Sequence, residues 1–391
     1  MARAGHAPQP TWWIASTDGA TPSRSRPGPP PSCPFRSQIW QLRCTAPNWP
    51  RPGWSLRASR STGRRPFTRR RWPVSDVLAA TSTSAEAWGL VPAVLVVITA
   101  GLVLALVVAA VDSAVVTGRG LGTAAEPLRS GSRLLLEERR TTLAPDRLLW
   151  RVGGGVVPVA ALLSLAVVPF GGRTLWSTSA DLVWFNAMEA LLWAAVWIVG
   201  WGPNSLHSLV GGYRFLAQGL AYELPLMFSL IGVGVAAGSL RTTDIVVAQS
   251  DLWFVVTMPV GFVVFVTSAA AFAFWGPFAA PAGGDIAGGV TSELSGPDRL
   301  LLQLGRAVFL GAAAAMAVAL FLGGDSGPWL PGFAWYVLKT AAVIVALISW
   351  GRRLPVLRPD RTVEVAWIVL VPVTLLQTLI VAVLAVTGFY G

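Results

Sequence analysis

Histidine, lysine and cysteine are nearly missing from this 391-residue chain: it has His6 and His207, the single lysine Lys339, and the cysteines Cys33 and Cys44. Two histidines so far apart exclude a haem held by paired histidines on membrane helices, and they exclude a His-rich metal site. Both cysteines fall within the first 74 residues, so the remainder has neither a disulfide nor a thiolate metal site. No P-loop pattern occurs, and the short glycine runs GGRTL and GGDIAGG lack the context that cradles a phosphate. Charge is scarce as well: 13% of residues are charged and 53% apolar. No ordinary soluble domain has that balance. The chain is therefore read as an all-α, polytopic integral membrane protein.

The formal charge of +11 resembles that of a nucleic-acid binder, but its location argues otherwise. Residues 1–74 hold 13 arginines and one acid, Asp18, which leaves 17 basic and 18 acidic groups for residues 75–391. The membrane part is close to neutral, and no nucleic-acid partner follows from its charge. Residues 1–74 are rich in Pro, Ser and Arg without a sustained apolar run, which reads as a disordered tail rather than a secretory signal. From Leu90 onward, eight apolar runs are candidate spans: Leu90 to Val111, Val152 to Phe170, Leu182 to Val199, Leu224 to Ala237, Trp253 to Trp275, Leu304 to Leu322, Phe333 to Trp350 and Val365 to Val386. Each is near the roughly 20 residues that cross the hydrocarbon, the fourth being the weakest. Arginines crowd the odd-numbered loops, while the even loops hold only Arg173 and Arg241. The odd loops are expected to be cytoplasmic in a multi-pass protein.

One stretch breaks the apolar pattern, GWGPNSLHSLVGGYRFLAQGLAYELP from Gly200 to Pro225. A charge near the bilayer centre costs about 2.5 to 3.5 kcal/mol, so Arg214 and Glu223 either stay in a solvated loop or carry a function. As a helix, the stretch would align Arg214, Gln218 and Tyr222 at i, i+4 and i+8, with Glu223 at the edge of that face.

The same stretch resembles the membrane-embedded H subunit (called subunit 1 in mitochondria) of the proton-pumping NADH:quinone oxidoreductase, respiratory complex I. The resemblance is carried by Gly200, Trp201, Asn204, Ser205, Leu209, Gly211, Arg214, Ala217, Gln218, Tyr222, Glu223 and Pro225. It extends from about Glu126 to the C-terminus, through Glu126, Pro127, Leu128, Arg133 and Glu138, then Asp244, Gln249, Trp253 and Pro259, and finally Trp335, Lys339, Arg352, Pro355, Arg358 and Asp360. It implies a quinone cavity and proton path built from Arg214, Gln218, Tyr222 and Glu223, with Glu126, Arg133 and Glu138 near the cavity mouth. It also implies that no redox cofactor is held by this chain: NADH, flavin and iron–sulfur clusters belong to partner subunits, quinone is the substrate, and the partners are other membrane and peripheral subunits and the lipid bilayer.

Departures from the family pattern are local. After the fifth span the family carries Glu-Thr-Asn-Arg and further acids, where this chain reads Phe272, Ala273, Phe274, Trp275 and on to Gly284, keeping Asp285 and Glu293. An acid appears instead at Glu189, mid-span, where the family has small or apolar residues. Glu189 is either a replacement site for a proton or a glutamate hydrogen-bonded to a neighbouring helix; Gln should be tolerated there and Leu should not. Two functions stay open: a working subunit of a complex-I-like oxidoreductase, or a structural membrane anchor of a related or partial oxidoreductase or hydrogenase-type assembly that has lost quinone chemistry. The basic tail conflicts with the expected topology, and translation from Val74 would remove it together with both cysteines.

Overall fold

The computed structural model describes residues 90–390, apart from 119, 124 and 171–173. The basic tail, both cysteines, His6, Val74, Arg119 and Arg173 lie outside the described residues.

The first span is α1, Leu90–Thr117, an uninterrupted apolar helix whose only charged side chain is Asp112. Its 28 residues extend about 42 Å. A short amphipathic helix follows, α2, Glu126–Leu136, which buries none of its side chains. Then come α3, Arg147–Ala166, N-capped by Asp146, and α4, Asp181–Trp201. The longest helix is α5, Leu206–Ala237, 32 residues closed by Gly238 in the left-handed conformation at φ 61°. Two short helices, α6 (Thr242–Val247) and α7 (Phe254–Thr257), lead to α8, Pro259–Phe272. A linker of single 3-10 turns runs to α9, Gly296–Phe321. The chain finishes with α10, Gly332–Arg353, and a last span of α11 (Pro359–Val365), a π-helical turn and α12 (Val371–Val386).

Among the described residues, seven helices are long and apolar enough to cross a membrane. The fifth expected span, Trp253 to Trp275, is the exception. Its one sizeable helix, α8, has 14 residues, about 21 Å, against about 30 Å of hydrocarbon. The fourth expected span also needs correction, because Leu224 to Ala237 is only the second half of α5. The polar stretch is helix from Leu206 onward, not a loop between spans.

The core is organised around α9, in which every residue from Ala307 to Phe321 is buried. Its glycine and alanine run removes side-chain bulk, so neighbouring helices pack against its backbone. At Gly305, for instance, a Cβ would come within 2.9 Å of the Pro158 nitrogen on α3. Helices α1, α3, α8 and α10 all pack on α9, and α5 packs in turn on α4, α8 and α12. Outward faces of α1 and the last span carry exposed Leu95, Val103, Ile368, Leu376 and Leu379, as lipid-facing helices require.

Candidate functional site

Helix α5 positions the site, and its first half is held at both edges. Asn204, in the left-handed conformation that asparagine tolerates, donates to the Ala144 carbonyl, and Thr142 donates to the Pro203 carbonyl at 2.6 Å. Ser205 Oγ donates to Glu293 Oε1 at 2.7 Å, which ties the start of α5 to the end of the α8–α9 linker. The linker lies directly on α5: a Cβ at Gly211 would stand 2.6 Å from the Pro281 carbonyl oxygen and 2.8 Å from the Gly289 carbonyl carbon. Only glycine allows that approach.

The structure resolves the predicted polar stripe into two directions. Arg214, Gln218 and Tyr222 all meet the segment from α8 through the linker. Arg214 Nη2 pairs with Asp285 Oδ2 at 2.7 Å while its Nη1 donates to the Ala280 carbonyl at 3.3 Å. One turn on, buried Gln218 donates to the Ala271 carbonyl at 2.6 Å. Another turn on, the Tyr222 ring meets Phe278 edge-to-face, with centroids 5.2 Å apart. Hydrogen bonding from Arg214 holds the exposed Asp285 carboxyl below the usual carboxylate range.

Glu223 turns the other way, toward α4. Its Oε1 accepts a 2.9 Å hydrogen bond from Asn186 Nδ2, and its Oε2 has no partner. Glu189, one turn along α4 from Asn186, is fully buried, and neither of its carboxyl oxygens is hydrogen-bonded. Pro225 cannot donate to the Ala221 carbonyl, so the α5 backbone beside Glu223 is itself one hydrogen bond short.

Glu126, Arg133 and Glu138 lie apart from the stripe. All three are exposed; Glu126 pairs with Arg129 at 3.1 Å, and Glu138 contributes its backbone carbonyl to Ser295 Oγ. Arg139, beside Glu138, reaches Asp298 at 3.6 Å on the first turn of α9. What links this group to the stripe is the α8–α9 linker, touched by α5 through Ala280, Asp285 and Glu293 and by the segment just after α2 through Ser295. A cleft of about 480 Å³ opens between the start of α3 and the α4–α5 turn, beside Asp146, Trp201, Asn204 and Leu209, and none of the three lines it. Among the described residues no group of three His, Cys, Asp or Glu could hold a metal ion.

Sequence reasoning missed Asn186, the donor to Glu223, and Arg306, which binds the carbonyls of Ala273 and Phe274. A signal existed for both, since each is a strongly polar residue inside an otherwise apolar run.

An apolar helical bundle with one polar helix face turned on a linker, and carboxyls turned into the helix contact behind it, defines a polytopic membrane protein whose polar chemistry is internal. The NADH dehydrogenase family matches residues 90–382. The chain is 36% identical over 266 residues to the NADH-quinone oxidoreductase H subunit 1 of Geobacter metallireducens, covering 65% of this chain and 81% of that one. With the NADH-quinone oxidoreductase H subunit of Geobacillus kaustophilus it shares 35% over 257 residues, 64% and 77% of the two chains. With the H subunit 2 of Rhodopseudomonas palustris it shares 36% over 256 residues, 65% and 80%. The chain belongs to the NADH dehydrogenase family, among its H-subunit proteins.

Proposed function

We propose that this chain is the membrane subunit of a complex-I-like, proton-translocating NADH:quinone oxidoreductase, forming one wall of the quinone cavity and part of the proton path. The observation that carries the reading is the division of α5. One face, through Arg214, Gln218 and Tyr222, grips the end of α8 and the linker on which the segment after α2 also rests, and the adjoining Glu223 faces α4. A change of charge beside the linker is thereby transmitted to α5 over two helical turns. Electrons arrive through flavin and iron–sulfur clusters of partner subunits; this chain supplies the cavity wall and the protonatable groups. Its side of the work is electrostatic: reduction of a quinone alters the field at Arg214 and Asp285, and Glu223 answers by taking up or releasing a proton. The loops after the first, third, fifth and seventh spans face the cytoplasm in this reading, with the chain in the plasma membrane. H-subunit relatives aligned over about four-fifths of their own length favour it over a bare membrane anchor.

The test is Glu223→Gln in the assembled complex. Coupled quinone reduction should fall at least about tenfold, equivalent to about 1.4 kcal/mol of barrier, with assembly unchanged. Turnover at the wild-type rate would remove Glu223 from the path. Assaying the purified complex with NADH and with reduced ferredoxin identifies the electron donor.

A further inference from the structure

The carboxyls at the α4–α5 contact are short of donors. Glu189 Oε1 and Oε2, Glu223 Oε2 and Asn186 Oδ1 are all buried acceptors without a partner, and the single hydrogen bond in the group runs from Asn186 Nδ2 to Glu223 Oε1. Neither glutamate forms an ion pair; Arg214, the cation on α5, is engaged by Asp285. The indole N–H of Trp193, one turn beyond Glu189, is likewise without a partner and donates to neither carboxyl. Glu189 stands three residues, one helical turn, beyond the Asn186 that bonds Glu223, which puts both acids at the same helix contact. Two unpaired carboxylates buried at one helix contact would add mutual repulsion to two desolvation penalties. One added proton relieves both: it neutralises one carboxyl and turns it into an O–H donor for an oxygen that lacks one.

We propose that Glu189 and Glu223 act as a single proton site, a carboxyl pair on facing helices that shares one proton, with Asn186 as the positioning residue that holds Glu223 toward its partner. This rests on the reading of Glu223 as a proton-path group and makes it half of a site rather than a lone acid. The balance is simple. A proton entering the doubly ionised pair forms one O–H bond and cancels one negative charge; its departure restores that charge, and no electron moves. Asn186 keeps its hydrogen bond to Glu223 Oε1 in either case, which leaves Oε2 as the oxygen available to the shared proton.

Infrared difference spectroscopy on the purified, assembled complex, in H2O and D2O with quinone reduction as the trigger, decides the matter. The expected result is one protonated-carboxyl C=O band that shifts in D2O and is displaced or lost in both Glu189→Gln and Glu223→Gln. Asn186→Leu should keep the band and change its frequency. Glu189→Asp retains a carboxyl and moves the same band, which covers the case in which Glu189→Gln fails to assemble. A wild-type spectrum with no protonated-carboxyl band overturns the proposal, as does a band untouched by Glu189→Gln, or two bands each lost in one variant only. If the shared band is present while Glu223→Gln turns over at the wild-type rate, the pair stands and the assignment of Glu223 to the proton path falls.

Discussion

Lys339 is the single lysine of the chain, and it reaches from α10 to the turn that follows α9. Its Nζ donates to the carbonyls of Leu322, Gly324 and Ser326 at 2.7, 3.1 and 2.8 Å, and lies 4.2 Å from the Trp253 ring centroid. Those carbonyls belong to the turn that closes a helix in a low-dielectric setting, where each unpaired one costs about 1–3 kcal/mol. Lys339→Met should therefore lower the thermal unfolding temperature of the detergent-solubilised protein, with quinone-site ligand binding intact in what remains folded; an unchanged melting curve would refute the capping role. Asp285 gives a prediction about pH. Its carboxyl is held below the ordinary range by Arg214, so the tether is fully formed above the unfolded carboxylate value and is lost as pH falls through the depressed folded value. Protection against hydrogen exchange in residues 276–290, relative to the intrinsic rate at each pH, should fall on acidification in the wild type, whereas in Asp285→Asn it should be low already at neutral pH and change little with acid. The residues legible in the sequence were those whose position follows from helical spacing alone, Arg214, Gln218 and Tyr222. Asn186 stands out in the sequence as a polar residue in an apolar run, but its partnership with Glu223 does not, because that depends on how α4 is rotated against α5, which no one-dimensional pattern contains.

At the scale of elements, the informative one is α8. Hydropathy counts apolar residues, and Trp253 to Trp275 is apolar almost throughout, so an eighth full span was the natural expectation. Backbone chemistry decides otherwise. Pro259 begins a new helix after Met258, and at the far end Phe274 takes a positive φ of 39°. A helix ending inside the protein leaves carbonyls that need donors. Arg306 of α9 supplies them: its Nε and Nη2 donate to Ala273 and Phe274 at 2.9 and 2.8 Å, and its guanidinium lies 3.6 Å from the Phe274 ring centroid. Lysine offers no planar fork for two carbonyls and a ring at once. Arg306→Met should lower yield and melting temperature of the assembled protein, by about 2–5 kcal/mol of stability if both carbonyls are orphaned, and Arg306→Lys should recover only part of the loss. Full recovery by lysine would mean that charge alone matters at this end of α8. The same logic explains why α5 continues through its polar half: the stripe finds partners in the linker, so nothing obliges the helix to stop at the edge of the apolar run.

For the whole molecule, the helix ends sort into two groups, and the sorting can be read from contacts alone. The turns after α1, α4 and α10 and the linker before α9 converge: Arg352 Nε donates to Asp112 Oδ1 at 2.7 Å, Arg139 pairs with Asp298, Ser205 meets Glu293, and the Asp146 N–H donates to the Gly202 carbonyl. At the other end, Thr242 donates through both its backbone N–H and its hydroxyl to Asp181 Oδ2, and Lys339 closes α9. Contacts fix which loops share a side; they carry no information about which side is the cytoplasm. The proposed orientation comes from arginine instead: the arginines gather at the first group of ends, and basic loops tend to be retained inside. The prediction that joins the two arguments uses single cysteines in a background with Cys33 and Cys44 replaced. Ser132→Cys on exposed α2 and Val247→Cys on α6, where the native side chain is 71% exposed, report the two ends. A membrane-impermeant maleimide applied to intact cells should label Val247→Cys and leave Ser132→Cys unlabelled until the membrane is permeabilised. The opposite pattern would invert the topology.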